Sequence, residues 1–301
     1  MNGKVIAIVA VAAVVVLVGA GAAGFILMKD DNEKSSDYTL LDSTTAKEGL
    51  YYELESVEGE NSAMYSHKIT HVYEDGTLDV NTREKSHICE TQEMSLFDFT
   101  LVFFDVEGDI PSGIEVSKKD VDAGCEYTVK GTSVQESKGE YYNTKTTMEF
   151  KDVVFTIDPT SKVVSASGEA TKDYSQTHVE SPDSIYTKDN RVWKMSTKDS
   201  TGMVEITRDA DTKDFDKCDS FDNFKTKFAA YAADYYKGCS ITDEDTRYGG
   251  VDCVKHTING TASNLKVYED TEIYVHNGYF LHGEGKIDGV STSVEVKIYI
   301  D

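Results

Sequence analysis

A chain of 301 residues with 54 Asp and Glu against 30 Lys and Arg carries a formal charge of −24 at pH 7. A surface this acidic repels nucleic acid and anionic lipid headgroups, and favours solubility, cation accumulation or a basic partner. Three prolines set against 18 tyrosines and 12 phenylalanines argue against a disordered stalk, and the length after residue 28 suffices for one large or two smaller domains.

The chain opens on residues 5–28, VIAIVAVAAVVVLVGAGAAGFILM, with no charged or polar side chain. As a helix rising about 1.5 Å per residue, this run covers roughly 36 Å, enough to cross a hydrocarbon core of about 30 Å. It predicts a transmembrane signal-anchor over residues 1–28, with the lipid bilayer as a partner of residues 5–28. The alternative is a cleaved signal peptide, for which Ala20-Gly21-Ala22 offers small residues. Lys4 before the run and the balanced or acidic KDDNEKS after it favour a cytoplasmic N-terminus and an extracytoplasmic remainder, hence a single-pass membrane protein. Residues 29–39 read as a linker.

Residues 50–57 partly alternate, as a half-buried strand does, and 64–73 follow as a second strand. Glu74-Asp75-Gly76 is a tight-turn signal into a strand at 77–82. The stretch 94–106, MSLFDFTLVFFDV, fits either period and is assigned to helix by its position relative to a clearer helix downstream. Strands resume at 126–134, 144–157 and 162–167, with Asp158-Pro159-Thr160-Ser161 turning the last two.

Hairpin material at 184–187, 191–196 and 203–207 precedes the best helix of the chain, 219–236. Asp219 or Ser220 can cap it, Asp222 sits well in its first turn, and Gly238 stops it. Its aromatic face, Phe221, Phe224, Phe228, Tyr231 and Tyr235, is expected to pack across a sheet. The closing strands are 251–261, 265–275, 279–285 and 291–300, and Asn277-Gly278 marks a tight hairpin. Val294, Val296, Ile298 and Ile300 alternate strictly with wetter residues. The expected fold is thus a transmembrane helix followed by an α+β domain, mainly antiparallel sheet with one clear helix.

The five cysteines lack the close pairs of a zinc knuckle or a redox centre. On the extracytoplasmic side, disulfides are the plain expectation. Cys125 opens CEYTVKGTSVQ and Cys253 opens CVKHTINGTAS, each a polar-aromatic strand reaching a Gly-Thr pair. The separations also agree, 36 residues from Cys89 to Cys125 and 35 from Cys218 to Cys253. The match suggests an internal duplication with β-rich units at 40–175 and 176–301. It favours bridges Cys89–Cys125 and Cys218–Cys253 with Cys239 free; Cys239–Cys253 is the competing pairing.

His67 and His71, four apart on a strand, stand about 13 Å from one another, too far to share a metal. His276 and His282 flank the Asn277-Gly278 turn, where His282 should oppose Ile273, which disfavours a joint site. Asp209, Asp211, Asp214, Asp216 and Asp219 form one acidic run and Asp243-Glu244-Asp245 another; neither matches a calcium loop, and both read as surface loop or linker. There is no nucleophile elbow, HExxH, Walker loop or dinucleotide fingerprint, so no catalytic, metal or cofactor residue is assigned and no enzyme is expected. Asn259-Gly260-Thr261 is a possible N-glycosylation site. In outline, sheet plus overlaid helix is similar to extracytoplasmic lipoprotein-like folds with a half-open sheet that shelters apolar ligands. The expected function is a membrane-anchored, non-enzymatic, extracytoplasmic binding or envelope-associated domain. The alternative is a carrier or sensor of a hydrophobic small molecule, in a cavity lined by groups such as Phe99, Phe103, Phe228 and Tyr235.

Overall fold

The computed structural model describes residues 35–92, 94–95, 111–160, 162–179, 181–197, 204–218 and 220–301. These form an antiparallel β protein. In chain order the strands are β1 (Leu50–Glu58), β2 (Asn61–Val72), β3 (Leu78–Gln92), β4 (Met94–Ser95), β5 (Ile114–Val121), β6 (Gly124–Lys138), β7 (Tyr142–Ile157), β8 (Lys162–His178), β9 (Ser181–Thr197) and β10 (Val204–Cys218). After the one described α-helix, α1 (Phe221–Ala229), come β11 (Ser240–Tyr248), β12 (Val251–Thr261), β13 (Val267–His276), β14 (Tyr279–Ile287) and β15 (Val290–Ile300). Two short 3-10 turns, Tyr38–Asp42 and Ala233–Tyr236, are the other elements among the described residues.

Two compact units divide the chain: Met1–Glu84 with Phe215–Asp301, and Lys85–Asp214. In the first, the strand order is β11-β12-β13-β14-β15-β1-β2-β3. β1 pairs with β15 from Leu50↔Ile300 to Glu58↔Thr292, so the first and last described strands are neighbours. Alternation dictates which side is dry. Leu50, Tyr52 and Leu54 on β1 and Val294, Val296 and Ile298 on β15 are buried, together with Ile69, Leu78 and Val80 from the adjoining strands. Ile300 leaves the pattern and is exposed. Phe221 and Phe224 of α1 join this core, as do Tyr38 and Leu41.

The second unit is the meander β10-β9-β8-β7-β6-β5, with β4 against β8. Its core gathers Val129, Met148, Phe150, Val153, Phe155, Ile157, Trp193, Met195 and Ile206. Buried positions on β7 switch from even to odd numbers at a bulge between Lys151 and Val154, where Asp152 takes φ 45°. That extra residue keeps Val153, Phe155 and Ile157 on the dry face. Gly168 faces the bulge, and a Cβ there would stand 2.7 Å from the Val153 Cα.

Several expectations are corrected. The fold is not α+β with a prominent helix: α1 spans nine residues, not 219–236. Ser220 caps it by accepting from the Asn223 N–H, but Ala230 turns extended and bridges Tyr279, and the Tyr231 N–H donates to the Gly278 carbonyl at 2.9 Å. Pairing with the hairpin thus outcompetes another helical turn. Nor do the strands group as tandem halves at 40–175 and 176–301, since β1 belongs beside β15. Single-pass anchoring and the topology drawn from it are also set aside. Among the described residues no helix is long and apolar enough to cross a membrane. Residues 5–28, which carried that expectation, lie outside the described residues, as do most of the linker and residues 96–106 of the ambiguous stretch.

Phe224 is 1% exposed, so Phe224→Ala should cost about 3–5 kcal/mol. Val134→Ala, at a residue 53% exposed, should cost less than about 0.5 kcal/mol. Urea unfolding followed by far-UV circular dichroism measures both.

Candidate functional site

The chemically richest surface lies on the first unit, where registered pairing lines up side chains across six strands. Glu244 opposes Lys255, Lys255 opposes Tyr274, Tyr274 opposes His282, His282 opposes Glu295, and Glu295 opposes Glu55. Directly opposed residues share a face, so this is one transverse row.

Its centre is His282. Nδ1 lies 2.5 Å from a Glu295 carboxylate oxygen, and Nε2 is 3.9 Å from Glu284. The ring stacks on Tyr248, centroids 5.2 Å apart, and Tyr248 in turn stands 4.9 Å from the Tyr274 ring. Tyr248 and Tyr38 both donate to Glu295 at 3.2–3.3 Å, and Tyr38 also donates to the Val296 carbonyl at 2.7 Å. Burial, then the Glu295 charge, raises both phenols, so they remain donors at neutral pH. On the flanks, Lys255 pairs with Glu244 at 2.9 Å and Glu272 at 3.3 Å, while Lys297 pairs with Glu55 at 3.0 Å and Glu53 at 3.5 Å.

This constellation depends on a bulge that alternation does not reveal. Ladder pairing passes from Tyr274↔His282 to Val275↔Phe280, leaving one extra residue on β14. His282 therefore opposes Tyr274 instead of Ile273 and joins the polar row. The signal available was chemical: Gly283 beside Phe280. A Cβ on Gly283 would lie 2.9 Å from the Phe280 ring, so glycine lets that ring fold over the strand.

A second bulge lies between Glu269 and Glu272, where Asp270 takes φ 45° opposite Gly285. The opposite face of the sheet carries an apolar cleft of about 80 Å³ here, lined by Tyr231, Tyr235, Tyr236, Tyr268, Ile273 and Phe280. The polar face carries an open groove of about 570 Å³ bordered by Glu269, Asp270, Glu272, Glu284, Ser291 and Ser293.

Other expected site residues are dispersed. No disulfide joins any of the five cysteines. Cys89 on β3 and Cys125 on β6 have β10, β9, β8 and β7 between them, beyond the roughly 7 Å Cα reach of a disulfide. Cys239 precedes the Ser240↔Asn259 pair, whereas Cys253 opposes Thr246; six residues of strand, roughly 20 Å, part them. Cys218 and Cys253 are buried thiols of one apolar cluster, and burial raises the thiols of Cys239 and Cys253. His67 and His71 both lie on β2, His71 2.7 Å from Glu48.

His276 is a strut. Its Nδ1 lies 2.6 Å from the Asp252 carbonyl and its Nε2 2.9 Å from Asp42, which also accepts from Asn277 at 2.8 Å. Burial works to raise the Asp42 carboxyl, but hydrogen bonds from Asn277 and His276 prevail and hold it below the ordinary range. Asp209, Asp211 and Asp214, expected in a loop, sit on β10, and Asp209 is 2.6 Å from His87. Asp243-Glu244-Asp245 sit on β11. Among the described residues no three His, Cys, Asp or Glu side chains converge on a metal-sized point. Asn259 is exposed on β12, its side-chain Oδ1 accepting from the Asp270 N–H at 2.8 Å. Phe99, Phe103, Asp219 and the Phe228 side chain lie outside what is described.

No protein-family model and no curated protein matches the chain. Among solved structures, Ail, the attachment invasion locus protein of Yersinia pestis, aligns at 8% identity with a TM-score of 0.14, over 56% of this chain and all of Ail. A likeness at that score carries no inference about this chain.

The hydrogen bond that His282 donates to Glu295 raises the His282 value, against the opposing effect of burial and with help from the Glu295 and Glu284 charges. The resulting stabilisation is complete below the ordinary value of about 6.5 and fades as pH rises through the raised one. The unfolding free-energy difference between wild type and His282→Gln should therefore be larger at pH 5.5 than at pH 9. Urea titrations at the two pH values check this.

Proposed function

We propose that this chain is a non-enzymatic, envelope-associated binding module that recognises its ligand through the row from Glu244 to Glu55. The row itself carries the reading: stacked Tyr248, Tyr274 and His282 rings sit among carboxylates on neighbouring strands. Lys255, His282 and Lys297 each have acidic neighbours, which hold the charges in place and fix the rings as a rigid surface. Such matching suits recognition better than proton transfer, which needs a group set apart from its neighbours. Rings bordered by acceptors fit a ligand with an apolar flank and hydrogen-bond donors, neutral or cationic. The alternative, carriage of a hydrophobic small molecule between sheet and helix, finds among the described residues an apolar cleft of about 80 Å³, against roughly 300 Å³ or more for a typical ligand pocket.

A panel of neutral oligosaccharides and Lys- or Arg-containing peptides tests the reading by calorimetry. A ligand retained by the wild type should bind Tyr274→Ala and His282→Ala at least about tenfold more weakly, with unchanged circular dichroism. Equal affinity in both variants, or no retained ligand across the panel, would sink the proposal. Recovery of the chain in the soluble cytoplasmic fraction of its source cells would sink the envelope assignment alone.

A further inference from the structure

Among the described residues, the strand order ends at β11 on one side and β5 on the other. A strand with one neighbour turns half of its backbone N–H and C=O groups to an open side, ready to pair with another strand. The middles of the two edges carry opposite charge. β5 reads IEVSKKDV, with Lys118 and Lys119 exposed at its middle, and β11 reads SITDEDTRY, with Asp243, Glu244 and Asp245 exposed at its middle. Set middle to middle, like edges therefore repel and unlike edges attract.

Backbone phase limits how the two can meet. Val121 opposes Gly124 across a two-residue turn, a position that has to be a hydrogen-bonded pair. Counting back by twos, Val121, Lys119, Ser117 and Glu115 face β6, so Ile114, Val116, Lys118 and Asp120 direct their backbone groups outward. Tyr248 opposes Val251 in the same way, so Ile241, Asp243, Asp245 and Arg247 direct theirs outward on β11. In an antiparallel pair, opposed residues must both point inward or both outward. The antiparallel register that sets Lys118 and Lys119 against Asp245 and Glu244 also sets Asp120 against Asp243, a like-charge clash, and the neighbouring one with Lys118 against Asp243 leaves Lys119 opposite Thr242 with no acidic partner. A parallel pair instead opposes one outward residue to one inward residue. With Lys118 opposite Glu244, the parallel register sets Lys119 against Asp245, Val116 against Thr242 and Asp120 against Thr246, with no like charges opposed. It also continues a row already present, because Glu244 is backed by Lys255 and Lys255 by Glu272.

We propose that copies of this chain associate edge to edge, β5 of one adding in parallel to β11 of the next. The contact joins two different surfaces, so it closes into a ring or continues as a filament. Screening of the exposed Lys and carboxylate pairs weakens it as salt rises.

Sedimentation velocity on the full chain, over a concentration series at low and high salt, tests this. The wild type should self-associate at low salt. Lys118→Glu with Lys119→Glu, and separately Glu244→Lys with Asp245→Lys, should each weaken association by about tenfold or more. Each variant opposes like charges in its own homotypic contact, yet is complementary to the other variant at both edges. An equimolar mixture should therefore recover association, and so should the chain carrying all four substitutions, which also shows that the substituted protein folds. A monomeric wild type, or association unchanged in the two variants as contact through another segment would give, overturns the proposal. So does a mixture that associates no more than its components.

Discussion

The pairing of β1 with β15 is the constraint on which the first unit rests. It brings together residues some 240 positions apart, and through it Tyr52 and Leu54 meet Val296 and Ile298 over the same core. Closing a loop that long costs entropy that grows slowly with length, and a nine-residue antiparallel ladder with a continuous apolar face offsets it. Everything built on this unit inherits that register. Glu55 reaches the polar row only because it lies opposite Glu295, and Lys297 reaches both Glu53 and Glu55 for the same reason.

Much of the sheet was legible in the sequence. Alternation at 50–57 and 291–298, the Asn277-Gly278 turn and the strand 251–261 all stand where hydropathy and turn chemistry place them. Asn277 and Gly278 take φ of 47° and 83°, as a tight hairpin requires. Strand lengths were less legible. β10 extends through Asp209, Asp211 and Asp214, residues of low strand preference that read as linker, because neighbouring β9 supplies partners for them. The helix is shorter than its spacing suggests for the converse reason. Phe221 to Tyr235 keep helical spacing, but the backbone after Ala229 has a competing partner in β14 that periodicity cannot register.

The polar row was illegible for a sharper reason. One extra residue on β14 reverses which side chains face which way, and a period-two reading carries no mark of it until the glycines and the turn are weighed together. The bulges recur: register shifts fall at Gly131 on β6 and Gly260 on β12, and Asp152 and Asp270 both take φ 45° across from Gly168 and Gly285. The likeness of the Cys125 and Cys253 stretches thus marks a shared manner of bending a strand. The cysteines themselves remain thiols, and bending, not cross-linking, is what these stretches contribute.

The single tryptophan gives the second unit a private optical signal. Trp193 lies on β9, buried among the apolar residues of that unit, whereas the tyrosines of the polar row belong to the first. Light absorbed selectively by indole therefore interrogates one half of the protein without any engineered label, and quenching by a water-soluble agent would register loosening of that half alone. Aromatic composition has divided the spectroscopy of the molecule along the same line as its cores.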